Sequence, residues 1–200
     1  MDQKSQSQLF IVGGAALVAV AIHWLSKKVI PSPRILPNMT TKSLVAAANP
    51  AAINWVRINY NGEDWDVASD YIAPVAIGDG EIIAKSYGAD VPTAGLVDAI
   101  WRAADLKLDP LPRASDGTPK TMASQEAFDD QQARINDQIA GRPFTLLAGT
   151  HKDIVRAPSG KLGIYGWQKS DGSNIQPLST IHYPGWIDYS QGVRLVRKVV

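Results

Sequence analysis

The 200-residue chain has no cysteine. That absence excludes disulfides, thiolate zinc sites and a cysteine nucleophile together, and leaves the redox compartment open. Histidine is scarce: of three in all, only His151 and His182 lie outside the apolar N-terminal segment. A net charge of either sign is also lacking, since 20 Lys and Arg against 19 Asp and Glu leave +1. No global field draws the chain to nucleic acid, and no nucleic-acid partner is expected. The sequence contains neither G-x-x-x-x-G-K-[ST] nor H-E-x-x-H, and Lys161-Leu-Gly-Ile-Tyr-Gly-Trp167 does not have the order of a dinucleotide loop. No internal repeat is visible.

What is present begins with LFIVGGAALVAVAIHWL, residues 9 to 25, a run without formal charge. As a helix, its 17 residues span roughly 25 Å, a little less than a hydrocarbon core of about 30 Å. Extension through Ile30 reaches full length and includes Lys27 and Lys28, which can snorkel. The segment reads as a single-pass transmembrane helix over 9–30 after a polar tail, 1–8, with the lipid membrane as a partner. A cleaved signal peptide, with Ala19-Val20-Ala21 as its small-x-small site, and a buried or interfacial helix are the other uses that fit it. Lys27, Lys28 and Arg34 follow the run, with only Lys4 before it. By the positive-inside rule this places the remainder on the cytoplasmic side, or inside a particle enclosing its own membrane.

Pro31, Pro33 and Pro37 predict a stiff, extended stalk, and with a short helix over Lys42 to Ala48 the connecting region covers 31–50. Asn38-Met39-Thr40 has the form of a glycosylation sequon. Residues 51–200 suffice for one domain with a core. The pattern predicts an α+β fold: a single compact domain of short antiparallel strands with several helices, preceded by the one N-terminal transmembrane helix. A strand over Ile53 to Tyr60 turns at Asn61-Gly62 into a hairpin. Helices are expected over Glu81 to Tyr87, from Pro92 to about Ala104, and from Gln125 to about Ala140, the last capped by Ser124. Short strands are expected over Phe144 to Leu147, Asp153 to Arg156, Leu162 to Trp167 and Val193 to Val199, with a turn at Asp171-Gly172. Charge is uneven along this region: residues 61 to 109 hold ten acids against three bases, and residues 142 to 200 hold eight bases against three acids. Two solvated faces that attract each other within the fold account for it.

Chemistry-bearing residues concentrate after Gly149. His151 and His182, with Asp153 and Asp188, form the candidate catalytic set. Histidine with aspartate can orient a general base, with Ser190 or water as the attacking group, and the same atoms can ligate zinc. Neither spacing matches a strong triad or metal motif, so the metal stays open and no cofactor is expected. The same residues can instead tie down an irregular loop by hydrogen bonds. Trp167, Tyr183, Trp186 and Tyr189, interleaved with polar groups, suit stacking on sugar rings or filling a small core. The candidate ligand-binding set is Trp167, Gln176, Trp186, Tyr189 and Arg194.

Two stretches, Tyr165-Gly-Trp-Gln-Lys-Ser-Asp-Gly-Ser-Asn-Ile-Gln-Pro-Leu178 and Asp188-Tyr-Ser-Gln-Gly-Val-Arg-Leu-Val196, have His182 between them. Together they resemble a group of uncharacterised bacterial and phage proteins with a pattern close to Y-G-W-x-x-x-D-G-x-x-I-Q-P-L…H…D-Y-S-H-G-x-R-L-V. Val91 to Pro110 resembles the middle segment of that group, so the resemblance covers roughly residues 65 to 197. It implies a single α+β domain and a site around His182 and Asp188. The chain departs at Gln191, where the pattern has histidine, and near Thr150-His151, where a glycine-histidine pair is displaced. A glutamine cannot serve as a histidine base.

Two readings follow. In the first, the chain is a non-catalytic membrane-anchored protein with a hydrolase-like domain, either an envelope-binding module or a structural component of a phage virion. Its partners are then cell-wall glycan or other virion or envelope proteins. In the second, it is a membrane-tethered hydrolase of peptidoglycan or another envelope polymer, using His182 and Asp188. The expected location is a bacterial inner membrane or a phage membrane, and the flanking charges count against a wall-cleaving enzyme.

Overall fold

The computed structural model describes residues 45–46, 48–114 and 119–200. The expected membrane helix and residues 31–44 and 47 of the stalk lie outside the described residues. Among the described residues, no helix is long and apolar enough to cross a membrane.

The described chain is α+β, with three helices of ten residues or more and three small sheets. Strands β1 (Trp55–Tyr60) and β2 (Glu63–Ala68) form the expected hairpin. Asn61 and Gly62 carry it at φ 54° and 78°, the left-handed backbone that a two-residue turn with right-handed strand twist requires. The last strand, β9 (Val196–Lys198), completes this sheet beside β2 in antiparallel register. A second sheet is a short parallel pair, β3 (Leu106–Lys107) with β4 (Leu147–Ala148). The third has the order β7-β6-β5-β8, from β5 (Lys152–Arg156), β6 (Leu162–Gln168), β7 (Asn174–Ser179) and β8 (Gln191–Gly192). β8 runs parallel to β5, whereas β6 is antiparallel to both of its neighbours.

Helix α1 (Ile77–Ser86) begins four residues earlier than the sequence suggests. Gly78 and Gly80 lie inside this helix as contact residues. A Cβ at Gly78 would meet Pro184 Cβ at 2.8 Å, and one at Gly80 would meet Ile154 Cγ2 at 2.9 Å. Helix α2 (Ala94–Ala103) is capped by Thr93, whose side chain accepts from Leu96 N. It buries Leu96, Val97 and Ile100, the face that the helical spacing predicts, each contributing about 1.5–3 kcal/mol of apolar burial. A short α3 (Pro119–Met122) precedes α4 (Gln125–Ile139), where Ser124 caps as expected by accepting from Ala127 N.

Three apolar clusters result. One, around Ile72, Ile83, Ile154 and Val193, lies between α1 and the third sheet. A second, around Val67, Leu96, Ile100 and Leu146, joins α2 to the first sheet. The third sets Trp167 against Ala127 and Tyr189. Trp167 has φ 55°, next to Gly166 at φ 94°, and the β6–β7 register shifts just before them, between Ile164 and Gly166. The Trp167 indole is buried and donates to Gly149 O at 2.9 Å.

Candidate functional site

The candidate residues after Gly149 fall into three places. Lys152 and Asp153 open β5, His151 stands immediately before it, and all three are buried. Asp188, Ser190, Gln191 and Arg194 come back beside them through β8, also buried. His182 lies on the loop between β7 and β8. Its ring stacks on Trp186, with centroids 4.7 Å apart and planes 18° apart.

Asp188 is engaged on both of its oxygens. Oδ2 accepts from Lys152 Nζ at 2.8 Å, and this ion pair is almost wholly out of water. Oδ1 accepts from Ser190 N and from Ser190 Oγ, each at 2.8 Å. The side chain therefore closes its own turn and pins β8 to β5. The buried pair needs those extra hydrogen bonds, because desolvating two charges offsets much of their attraction. The contacts thus couple Asp188 to Lys152 and Ser190, and His182 to Trp186.

Gln191 occupies the position where the resembled pattern has histidine. Its amide Nε2 donates to Val75 O at 2.7 Å and to Trp186 O at 2.9 Å. It thereby ties the segment entering α1 to the loop that carries Trp186. Neutral histidine has a single N–H to donate and cannot make both bonds.

Arg194 is fully buried and bridges sheets. Nη1 donates to Ala68 O on β2 at 2.7 Å, and Nη2 donates to Leu147 O on β4 at 2.6 Å. The guanidinium lies over the Tyr71 ring, 3.9 Å from its centroid. Tyr71 donates its hydroxyl to Asp153 Oδ2 on β5 at 2.7 Å. One arginine and one tyrosine thus connect strands of all three sheets. Burial pushes the Asp153 carboxyl up to about 7, against the opposing pull of Arg194 and the Tyr71 hydrogen bond. The Tyr71 hydroxyl is also raised, first by burial and then by Asp153. His151 sits beside this group, its ring 5.5 Å from that of Tyr71.

No protein-family model matches the chain, and neither a curated protein nor a solved structure does.

Of the candidate ligand-binding residues, Trp167, Tyr189 and Arg194 are interior. Tyr189 meets Trp167 edge-on and accepts from Arg113 N through its hydroxyl at 2.7 Å. Trp186 is half-buried, and Gln176 on β7 donates to Pro177 O. Beside His151, but lined by none of Asp153, His182 and Asp188, is a cavity of about 10 Å³ whose walls include Asp70, Tyr71 and Thr150. That volume holds a single water at most and admits no segment of a polymer. Among the described residues, no group of three or more His, Asp or Glu is placed to hold a metal ion.

Sequence reasoning did not single out Tyr71 or Lys152. Tyr71 carries no signal in one dimension. Arg194, a ligand-binding candidate in the sequence, does: it stands between Val193 and Leu195-Val196, and all four are buried. A charged residue inside an unbroken apolar run is a candidate buried anchor.

Proposed function

We propose that the chain is a membrane-tethered, non-catalytic protein of a bacterial envelope or of a phage particle. A single α+β domain is carried by one transmembrane helix within residues 9–30. The observation that carries the non-catalytic part is the engagement of the polar cluster: Asp188 with Lys152 and Ser190, Gln191 with two carbonyls, Arg194 with two more. A catalytic group needs reach to a substrate atom and a space to hold it. Here the polar groups are directed at one another and at backbone, and the cavity beside His151 and Tyr71 is water-sized. The glutamine at 191 supports the same reading. The apolar run and its flanking Lys27 and Lys28 support the tether. The resemblance to bacterial and phage proteins supports the setting.

The test is turnover. Full-length protein in detergent is incubated with purified peptidoglycan sacculi, and soluble fragments are measured. The expected result is no release above a protein-free blank. Release that disappears in His182→Ala, with the unfolding midpoint unchanged, overturns the proposal in favour of the tethered hydrolase.

A further inference from the structure

The loop from Ile181 to Trp186 projects apolar side chains from a fixed base. Ile181 is 88% exposed and Tyr183 62%, while Leu178, just before them, is 40% exposed. The backbone beneath is held firmly. Gly78 N donates to Pro184 O at 2.7 Å, and Ile77 N donates to Trp186 O at 3.1 Å. Gln191 holds Trp186 O from the other side. The first two N–H groups of α1, which would otherwise lack partners, thus fix the loop's base. Above it, His182 stacks on Trp186 and Tyr183 meets Trp186 edge-on, with centroids 6.1 Å apart. Ile82, 53% exposed, stands one helical turn beyond Gly78, whose Cα faces Pro184, and extends the patch.

One exposed isoleucine is ordinary, but Ile181, Tyr183 and Ile82 gathered about one loop mark a contact surface. The surrounding sequence restricts what that is. From Gly172 to Ile187 the chain has no formal charge. An uncharged loop of tyrosine, tryptophan, proline and isoleucine, beside an α1 that carries Asp79, Glu81 and Lys85, matches the water–hydrocarbon boundary of a bilayer, where amphipathic rings collect. The chain also brings such a boundary close. Between the proposed helix ending at Ile30 and the first described residue, Val45, lie Pro31 to Leu44, 14 residues. Fully extended, they reach no more than roughly 50 Å. A domain tethered on that length has an effective concentration of order mM at the bilayer, so weak interfacial affinity suffices for contact.

We propose that the Ile181–Trp186 loop docks on the surface of the bilayer that carries the chain, with Ile181 and Tyr183 entering the headgroup region. The contact is apolar, insensitive to salt and indifferent to anionic lipid. It rests on the tether reading, and the experiment separates the two.

Because the chain has no cysteine, one introduced thiol takes a label uniquely. Full-length Ile181→Cys, labelled with an environment-sensitive fluorophore, is reconstituted in phosphatidylcholine vesicles containing a shallow spin-labelled lipid. Ser170→Cys, exposed at the far end of the β6–β7 hairpin, is the reference. Tyr183→Cys is a second probe that guards against local damage at 181. The expected result is quenching at 181 and 183 about twofold or more above that at 170, unchanged in 1 M salt. Equal quenching at all three positions overturns the proposal. So does a label at 181 that responds to soluble peptidoglycan fragments and not to vesicles, which assigns the loop to glycan. An alkaline carbonate wash reads the tether separately. Retained chain with an unquenched 181 ends the docking proposal alone, whereas extracted chain with a quenched 181 leaves docking standing without the anchor.

Discussion

The guanidinium of Arg194 lies 3.9 Å from the ring centroid of Tyr71, and Tyr71 in turn donates to Asp153 at 2.7 Å. Through Ala68 O and Leu147 O the same arginine holds the other two sheets. A planar fork is needed, because two carbonyls and a ring face are served at once. Arg194→Lys supplies a point charge in place of the fork. The expected loss is about 3 kcal/mol of unfolding free energy, measured by urea denaturation of the full chain in detergent. A loss below about 0.5 kcal/mol, the usual range of an inert surface substitution, would show that Arg194 does not bridge the sheets.

Asp153 makes stability depend on pH with a definite sign. Its carboxyl titrates at about 7 in the folded protein, against 3.8 ordinarily. Between those values the folded state holds a proton that the unfolded chain has released. Its contribution is therefore complete below about pH 4 and is lost as pH rises through 7. The full difference, about 3 pH units, corresponds to on the order of 4 kcal/mol at most. Asp153→Asn removes that part of the slope. Urea midpoints of the two proteins at pH 4.5 and pH 8 check it. A wild-type curve whose slope over that range persists in Asp153→Asn assigns the titration to another group.

Gln191→His restores the residue of the resembled pattern. One of the two amide hydrogen bonds, to Val75 O or Trp186 O, is then unmade in the interior. The expected cost is about 1–3 kcal/mol, with no gain of activity on peptidoglycan sacculi. Sacculus hydrolysis that switches on in this variant contradicts a purely structural role for the cluster.

The local devices of the fold are legible in the sequence because each depends on near neighbours. Asn61-Gly62, the Ser124 cap and the apolar face of α2 are of this kind. What the sequence hides depends on distant contact. Gly78 and Gly80 disfavour a helix by propensity, and the close approach of Pro184 and Ile154 to them inside α1 shows only in three dimensions. Strand β7 carries Pro177, which argues against a strand, and is tolerated because β7 is an edge of its sheet. Aspartate, histidine, glutamine and arginine gathered after Gly149 suggest chemistry. Which of them meet is set by β8 returning beside β5, a long-range pairing with no local signature. The candidate site was thus legible as a region. Its pairings, Asp188 with Lys152 and Arg194 with Tyr71, were not.

Asp188 anchors the buried polar cluster, and the unfolding free energy of its variant tests that role most directly. Asp188→Asn leaves the Lys152 ammonium in the interior without its counter-charge. Stability should fall by about 3–5 kcal/mol, the usual cost of removing one partner of a buried ion pair. Urea unfolding of the full chain, wild type against Asp188→Asn, reads it directly. A large loss makes Asp188 a structural anchor, as its contacts with Lys152 and Ser190 indicate. Unchanged stability, together with loss of a measurable activity, would make it a catalytic residue and contradict the account.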